Sequence, residues 1–370
     1  MKMNLTELHI FFDLLRYSLW KQAVDYDSWD SGWSWKPVLR AIDGHQLATL
    51  VLEAVLSLPE SLQPDKEAVE HLSKQVGANM LRHDRLNHEL AEIIGLLQAD
   101  GIHPVLLKGQ GNATFYEKPL LRKCGDLDIY VGAPNFSAAC RTLCSWRPEE
   151  CVVGKAIKKH AEFRFGKTEV ELHRYAEIQH YPYPDEPFQI IMSEALAQPD
   201  VVEIASSRVA IPPVRVNALY LFTHLWNHVR RGGVGLRQFC DLAVVLHRTN
   251  QQIDVDVLRT NLHQMKMLDE WILVGNILVG YMGLPQAEFP LYRDEKAEKV
   301  AYFLQLVMAD GNFGKERGVK MRQGYFKDKA LKMTLDAKRS YQLAKVSKML
   351  AVKIFVGRFL QGLRTTIAGK

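Results

Sequence analysis

The sequence predicts an α+β protein in which a small α/β core is flanked by helical regions at both ends. Three observations lead there. Up to residue 98, apolar positions recur at helical spacing. Between 99 and 213, short apolar runs bounded by turn signals alternate with helical segments. From residue 214 onward the helical pattern returns and ends in a basic tail. The expected division is therefore 1–98, 99–213 and 214–370.

Helices are expected over 5–20, 36–58 and 76–97. In the last of these Leu81, Leu86, Leu90, Ile93, Ile94 and Leu97 mark one face, and Gly101 supplies a stop. Trp29, Trp33 and Trp35, set among Asp, Ser and Gly, read as a packed loop. In the core, strands are expected over 103–107 and 127–131, with a helical segment over 111–116 and a helix over 134–146. Gly166-Lys167 joins two short strands, 162–165 and 168–172, into a hairpin, and a further strand over 206–211 stops at Pro212-Pro213. Helices follow over 216–230, 236–246, 255–264, 268–282 and 297–310, and a long basic helix over 331–363.

Composition excludes several classes. A chain of 370 residues, 47% hydrophobic and 24% charged, suits a soluble protein of two or three domains. No apolar run reaches about 18 residues, the length a membrane-spanning helix needs. The first residues carry no apolar core of a signal peptide, so a cytoplasmic location is expected. Five cysteines without a C-x-x-C pair argue against a disulfide framework or zinc ribbon, and Cys140 and Cys144 read as core residues of one helix. The net charge of +5 is uneven: eight basic residues and no acidic one follow Asp336, so the body is slightly acidic. In the tail, apolar Leu343, Val346, Leu350 and Ile354 interleave with lysines and arginines. That pattern suits a helix docked on its own protein or one laid on an anionic surface or partner. Docking is expected to prevail.

The chemistry concentrates in two segments. Leu106-Leu107-Lys108-Gly109 is an apolar run ending in a Lys-Gly turn. Gly125-Asp126-Leu127-Asp128-Ile129 puts two carboxylates at i and i+2 of a strand, on one face. Such a pair repels itself unless a cation sits between the carboxylates or a proton neutralises one. A hard divalent ion such as Mg²⁺ takes one or two carboxylates plus substrate phosphates. The pair therefore reads as half of a metal-assisted phosphoryl or nucleotidyl transfer site. By the same reasoning, Asp128→Asn should relieve repulsion. A third acid is available at Glu171 or at Glu169, which share a strand face, and His173 lies on that face too. His160, just before the hairpin, has no support of its own. His224 and His228 stand at i and i+4 of a helix, a spacing that fits zinc or a packed histidine pair.

The ordered set Leu107-Lys108-Gly109, Tyr116, Pro119, Arg122, Gly125-Asp126-Leu127-Asp128 and Glu171-Leu172-His173 resembles the uncharacterised nucleotidyltransferases of the polymerase β superfamily. The resemblance is good over about residues 86–241. It implies a small mixed-sheet, polymerase-β-like core and transfer of NMP from an NTP, ATP foremost, to an unknown hydroxyl or phosphate acceptor. Mg²⁺ or Mn²⁺ would be held by Asp126, Asp128 and Glu171. Nucleotide would lie against Lys108, Gly109, Gln110, Arg122, Gly125 and His173, with backbone N–H groups of the Gly109 turn near its phosphates. His224, His228, Arg237 and Asp241 would line the substrate side in a C-terminal helical domain. The sequence departs from the superfamily pattern in its Lys108-Gly109-Gln110-Gly111 turn and in a Glu where the third acid is often Asp. The alternatives are an inactive nucleotide-binding or interaction protein with this fold, and a metal-dependent phosphohydrolase.

Overall fold

The structure, a computed structural model, describes residues 3–311 and 325–346. Helix α1 (Leu5–Trp20) opens with a reciprocal cap. The Asn4 side chain accepts from the Glu7 N–H and the Glu7 carboxylate accepts from the Asn4 N–H, each at 2.8 Å. Helices α2 (Trp35–Gly44) and α3 (Ala48–Ser57) occupy the stretch in which one helix is expected. Gly44 ends the first, and Gln46 takes a left-handed backbone between them. His45, buried at the break, accepts the Leu236 N–H on Nδ1 at 3.1 Å, which ties the break to the C-terminal helices.

Helix α4 (Lys66–Ala99) starts ten residues earlier than its apolar stripe suggests, because Asp65 caps it by accepting the Ala68 N–H at 2.8 Å. Its inner face is apolar toward the C-terminus but carries Asn79 and His83 in the middle. Asn79 Nδ2 donates to the carbonyls of Leu120 (2.8 Å) and Arg122 (3.0 Å), and His83 Nε2 lies 2.8 Å from the Arg122 carbonyl. These bonds fasten the loop that leads into Gly125-Asp126.

Strand β1 (Val105–Leu106) leads through Lys108-Gly109 into the one-turn helix α5 (Gln110–Ala113). Strand β2 (Leu127–Tyr130) carries Asp128, and helix α6 (Gly132–Ser145) follows it. Strands β3 (Cys151–Ala156), β4 (His160–Phe165) and β5 (Thr168–His173) complete a mixed sheet of order β1-β2-β5-β4-β3, in which only β2 and β5 run parallel. One face buries Leu127, Ile129, Val170, Leu172, Phe163 and Phe165 against Leu86, Leu90 and Ile93 of α4 and Phe136 and Leu143 of α6. The alternation that buries these residues turns Asp128, Glu171 and His173 to the opposite face. Helix α7 (Asp185–Leu196) and the separate hairpin of β6 (Asp200–Ile204) and β7 (Ser207–Ile211) follow. β3 escapes the sequence pattern because most of its side chains are exposed, leaving no apolar alternation to read.

Helices α8 (Val214–Arg231), α9 (Leu236–Thr249), α10 (Val255–Gln264), α11 (Leu268–Gly280) and α12 (Ala297–Asp310) pack with α1–α3 around one continuous core. The two helical flanks, separate in sequence, thus share an interior. Helix α13 (Tyr325–Ala344) reaches the same core through Leu343, with Val346 just beyond it. Its Arg339 is buried: Nε donates to the Val229 carbonyl at 2.8 Å, and Nη2 lies 3.0 Å from Asp310 Oδ2. Arg339, one of the eight basic residues that follow Asp336, is therefore an anchor. The rest of the expected tail helix, including Leu350 and Ile354, lies outside the described residues.

Candidate active site

The parallel pairing of β2 with β5 sets Asp128 directly opposite Glu171. Asp126, two residues before Asp128, joins them: one carboxylate oxygen from each of Asp126, Asp128 and Glu171 lies within 4.8 Å of the others. Glu169 does not reach this group; it is exposed and pairs across the hairpin with Arg164.

The three carboxylates differ in what surrounds them. Asp128 is buried, with Lys108 Nζ at 2.8 Å and His173 Nε2 at 3.0 Å from the same oxygen. Burial opposes its ionisation, but Lys108 and His173 outweigh that and hold the carboxyl below the usual range. Glu171 lies 3.1 Å from His160 Nδ1 and 3.2 Å from His173 Nε2. Burial is again opposed, by the two imidazoles and Lys108, and its carboxyl is held low as well. Among the described residues Asp126 has no cation or imidazole at ion-pair distance, and Lys108 and Arg237 act on it only through their more distant charge. Burial, and then the charge of Asp128, push its carboxyl up to about 6. The unrelieved repulsion therefore rests on Asp126, whereas Asp128, with the Lys108 ammonium and the His173 ring at hydrogen-bond distance, is where the Asn substitution would remove attraction instead.

Lys108, expected to face phosphate, is engaged with Asp128, and that carboxylate raises its ammonium's pKa although burial opposes the rise. At Gly109 the backbone has φ +60°, and a Cβ there would come within 3.3 Å of the Asp126 carbonyl, so the turn brings the Lys108 segment against the Asp126 segment. The N–H groups of Gly111 and Ala113 are taken by the carbonyls of Lys108 and Gly109, both at 3.1 Å. The turn thus offers fewer backbone donors than the sequence suggests. Gln110 is buried, and neither polar atom of its amide makes a hydrogen bond among the described residues. Gly125 is exposed beside Asp126.

Arg122 does not join the acids. Its guanidinium grips Asp241 with two bonds, Nε to Oδ1 at 2.8 Å and Nη2 to Oδ2 at 2.7 Å, and the Tyr116 hydroxyl donates to the same carboxylate at 2.8 Å. All three are buried. This clamp joins the loop before β2 to α9, so Asp241 holds Arg122 instead of lining a cleft. Arg237, one turn before Asp241 on α9, donates to the Lys123 carbonyl at 2.7 Å, leaves Nε without a hydrogen bond among the described residues, and is near enough to Asp126 to lower its pKa.

His224 and His228 lie edge to face, ring centroids 4.6 Å apart. His224 Nδ1 is 3.1 Å from Glu177 Oε2, which also lies 3.6 Å from Lys159 Nζ. Burial first, and then Lys108, lower the His224 pKa to about 4; burial and His224 lower that of His228 to about 2. Both imidazoles are neutral at pH 7. Among the described residues neither belongs to a group of ligand atoms close enough to share a metal ion.

A model of the uncharacterised nucleotidyltransferase family matches residues 31–276. The chain belongs to that family. The match takes in α2 through most of α11, and so every residue of the acidic site. Among solved structures, an antigenic nucleotidyltransferase-like protein from Paracoccidioides brasiliensis is similar, at 16% identity over 57% of this chain and 95% of that one, with a TM-score of 0.35. No curated protein matches the sequence.

His160 has no support of its own in the local sequence, although the hairpin register contains the signal. With Gly166-Lys167 as the two-residue turn, pairs run outward from Phe165–Thr168 to His160–His173. Lys159, Glu177 and the buried Tyr220 hydroxyl, whose charged neighbours include Lys108 and Asp128, had no local signal at all. They arrive from three separate segments.

Proposed function

We propose that this nucleotidyltransferase-family protein transfers NMP from an NTP, ATP foremost, to a hydroxyl or phosphate acceptor in a reaction that depends on Mg²⁺ or Mn²⁺. The convergence of Asp126, Asp128 and Glu171 carries the reading. Three oxygen ligands crowded together, one of them with its pKa pushed up to about 6, are the donor set that a hard divalent ion relieves. Bound there, such an ion would supply charge stabilisation for the α-phosphate and the departing pyrophosphate.

The chain's own groups do the rest. Lys108 balances Asp128 and places a second cation at the carboxylates, where triphosphate charge would gather. Arg237, with one guanidinium nitrogen uncommitted and Asp126 within its field, is better placed than Arg122 to meet phosphate. Glu171, its carboxyl held below the usual range by His160, His173 and Lys108, serves as a ligand more readily than as a general base. The neutral His224 and His228 of α8, with Glu177, form a polar wall on the helical side, where we place the acceptor. The five cysteines are free thiols, which suits a reducing compartment such as the cytoplasm. No helix among the described residues is long and apolar enough to cross a membrane.

Product analysis with α-labelled ATP, Mg²⁺ and candidate acceptors tests the reading. Transfer predicts pyrophosphate together with a labelled acceptor, both lost in Asp126→Asn. Free AMP without acceptor would indicate hydrolysis, and nucleotide binding with no product would indicate an inactive binder.

A further inference from the structure

On the edge of the acidic site stands a second ligand set that the transfer reaction does not require. His160 ends β4 and His173 ends β5, directly opposite each other, with ring centroids 5.1 Å apart. Both rings are buried. Two ring nitrogens face a single oxygen, Oε2 of Glu171: His160 Nδ1 at 3.1 Å and His173 Nε2 at 3.2 Å. The first contact is off the line a hydrogen bond needs, so His160 Nδ1 is a buried nitrogen with no hydrogen bond among the described residues. His173 has an acceptor behind its other nitrogen: Nδ1 lies 3.3 Å from the Tyr175 carbonyl. His160 Nε2 lies 3.6 Å from Glu162 Oε1, a charge contact beyond hydrogen-bond reach. His173 Nε2 also lies 3.0 Å from Asp128 Oδ1, so a metal ion there would displace the proton that this nitrogen shares with the carboxylates, while Nδ1 keeps the Tyr175 carbonyl as the usual support of a metal-bound histidine. One atom each from His160, Glu171 and His173 lie within 4.8 Å of one another.

We propose that His160, Glu171 and His173 form a binding site for a divalent transition-metal ion of the Zn²⁺ and Co²⁺ class, distinct in preference from the all-carboxylate set. Two imidazoles and one carboxylate suit a borderline ion with open positions for water or substrate, whereas Mg²⁺ favours oxygen ligands. The two sets share Glu171, so an ion held by the imidazoles is an immediate neighbour of one held by Asp126 and Asp128.

The test uses the full chain stripped with a chelator and titrated with Co²⁺, followed by its visible absorption. The bands report nitrogen ligation whether or not the protein transfers nucleotides. Expected are saturation at one Co²⁺ per chain, displacement by Zn²⁺ and not by excess Mg²⁺, and at least about tenfold weaker uptake in His160→Gln, because a ligand is lost. Asp126→Asn, which removes a carboxylate outside this set, should retain the bands. Thermal unfolding of His160→Gln checks that the variant is folded; should it not be, His160→Asn serves in its place. No Co²⁺ uptake, uptake unchanged in the folded His160 variant, or uptake lost in Asp126→Asn would each overturn the proposal.

Discussion

Two clusters of charge lie on either side of the loop before β2, and they are built to opposite ends. In the Tyr116–Arg122–Asp241 clamp the carboxylate has three donors and the guanidinium meets it with two parallel bonds. Burial raises the Asp241 pKa, Arg122 more than reverses the effect, and the account closes locally. In the Asp126–Asp128–Glu171 cluster acceptors outnumber cations, and Asp126 is left with its pKa pushed up. Asp128 is as deeply buried as Asp241, so burial of a carboxylate does not distinguish a structural group from a functional one. The balance of donors and acceptors does. The same test closes another candidate: the cleft of about 220 Å³ beside Trp20 and Arg248 contains Glu53, already paired with Lys21 at 3.0 Å and Lys118 at 2.6 Å.

The comparison breaks most visibly at the clamp. Asp241→Ala leaves the Arg122 guanidinium buried without its partner, and loss of one member of such a pair costs about 3–5 kcal/mol. Urea unfolding should show a loss of that size. A change below about 1 kcal/mol would mean that the clamp is not closed as described.

A second closed group gives a pH signature. His45 is buried, and burial lowers its pKa from 6.5 to about 4, although a hydrogen bond to the Met308 backbone opposes the shift. Between those values the unfolded chain binds a proton that the native protein does not, so stability falls as pH drops through 6.5 and continues to fall until about 4. The loss is on the order of 3 kcal/mol. His45→Gln should flatten this window relative to the parent, as read from unfolding midpoints at pH 7 and pH 4.5. An equal slope in both proteins would assign the effect to other groups.

The smallest effect has the opposite sign and belongs to the open cluster. Without divalent ions, Asp126→Asn removes one of three crowded carboxylates and should stabilise the fold by about 1 kcal/mol. Asp128→Asn, which strips Lys108 and His173 of a partner, should not.

The outline of this architecture was legible in the sequence, and the reasons are local. Helical periodicity marked α1, α4, α8 and α12, and the Gly166-Lys167 turn marked the hairpin of β4 and β5. Strand alternation placed Asp126 and Asp128 on one face. What stayed hidden depended on long-range partners. Lys108 and Arg122 have the same apparent purpose in sequence and Arg237 a substrate-side one, yet the first meets Asp128, the second meets Asp241 across 119 residues, and the third keeps a nitrogen uncommitted near Asp126. Asn79 and His83 look like defects in an apolar stripe until the Leu120 and Arg122 carbonyls meet them. The family resemblance points to Glu171, but strand alternation alone leaves Glu169 on the same face, and the parallel register that sets Glu171 opposite Asp128 is something no local pattern specifies.

The claim that the open cluster is a divalent-cation site is tested most directly by counting bound Mn²⁺ by electron paramagnetic resonance, with ATP present, in the parent protein, in Asp126→Asn and in Asp241→Asn. The account predicts that the parent binds Mn²⁺, that Asp126→Asn loses at least about tenfold in affinity, and that Asp241→Asn, in whatever fraction remains folded, binds as the parent does. Mn²⁺ binding that is indifferent to Asp126→Asn would contradict it.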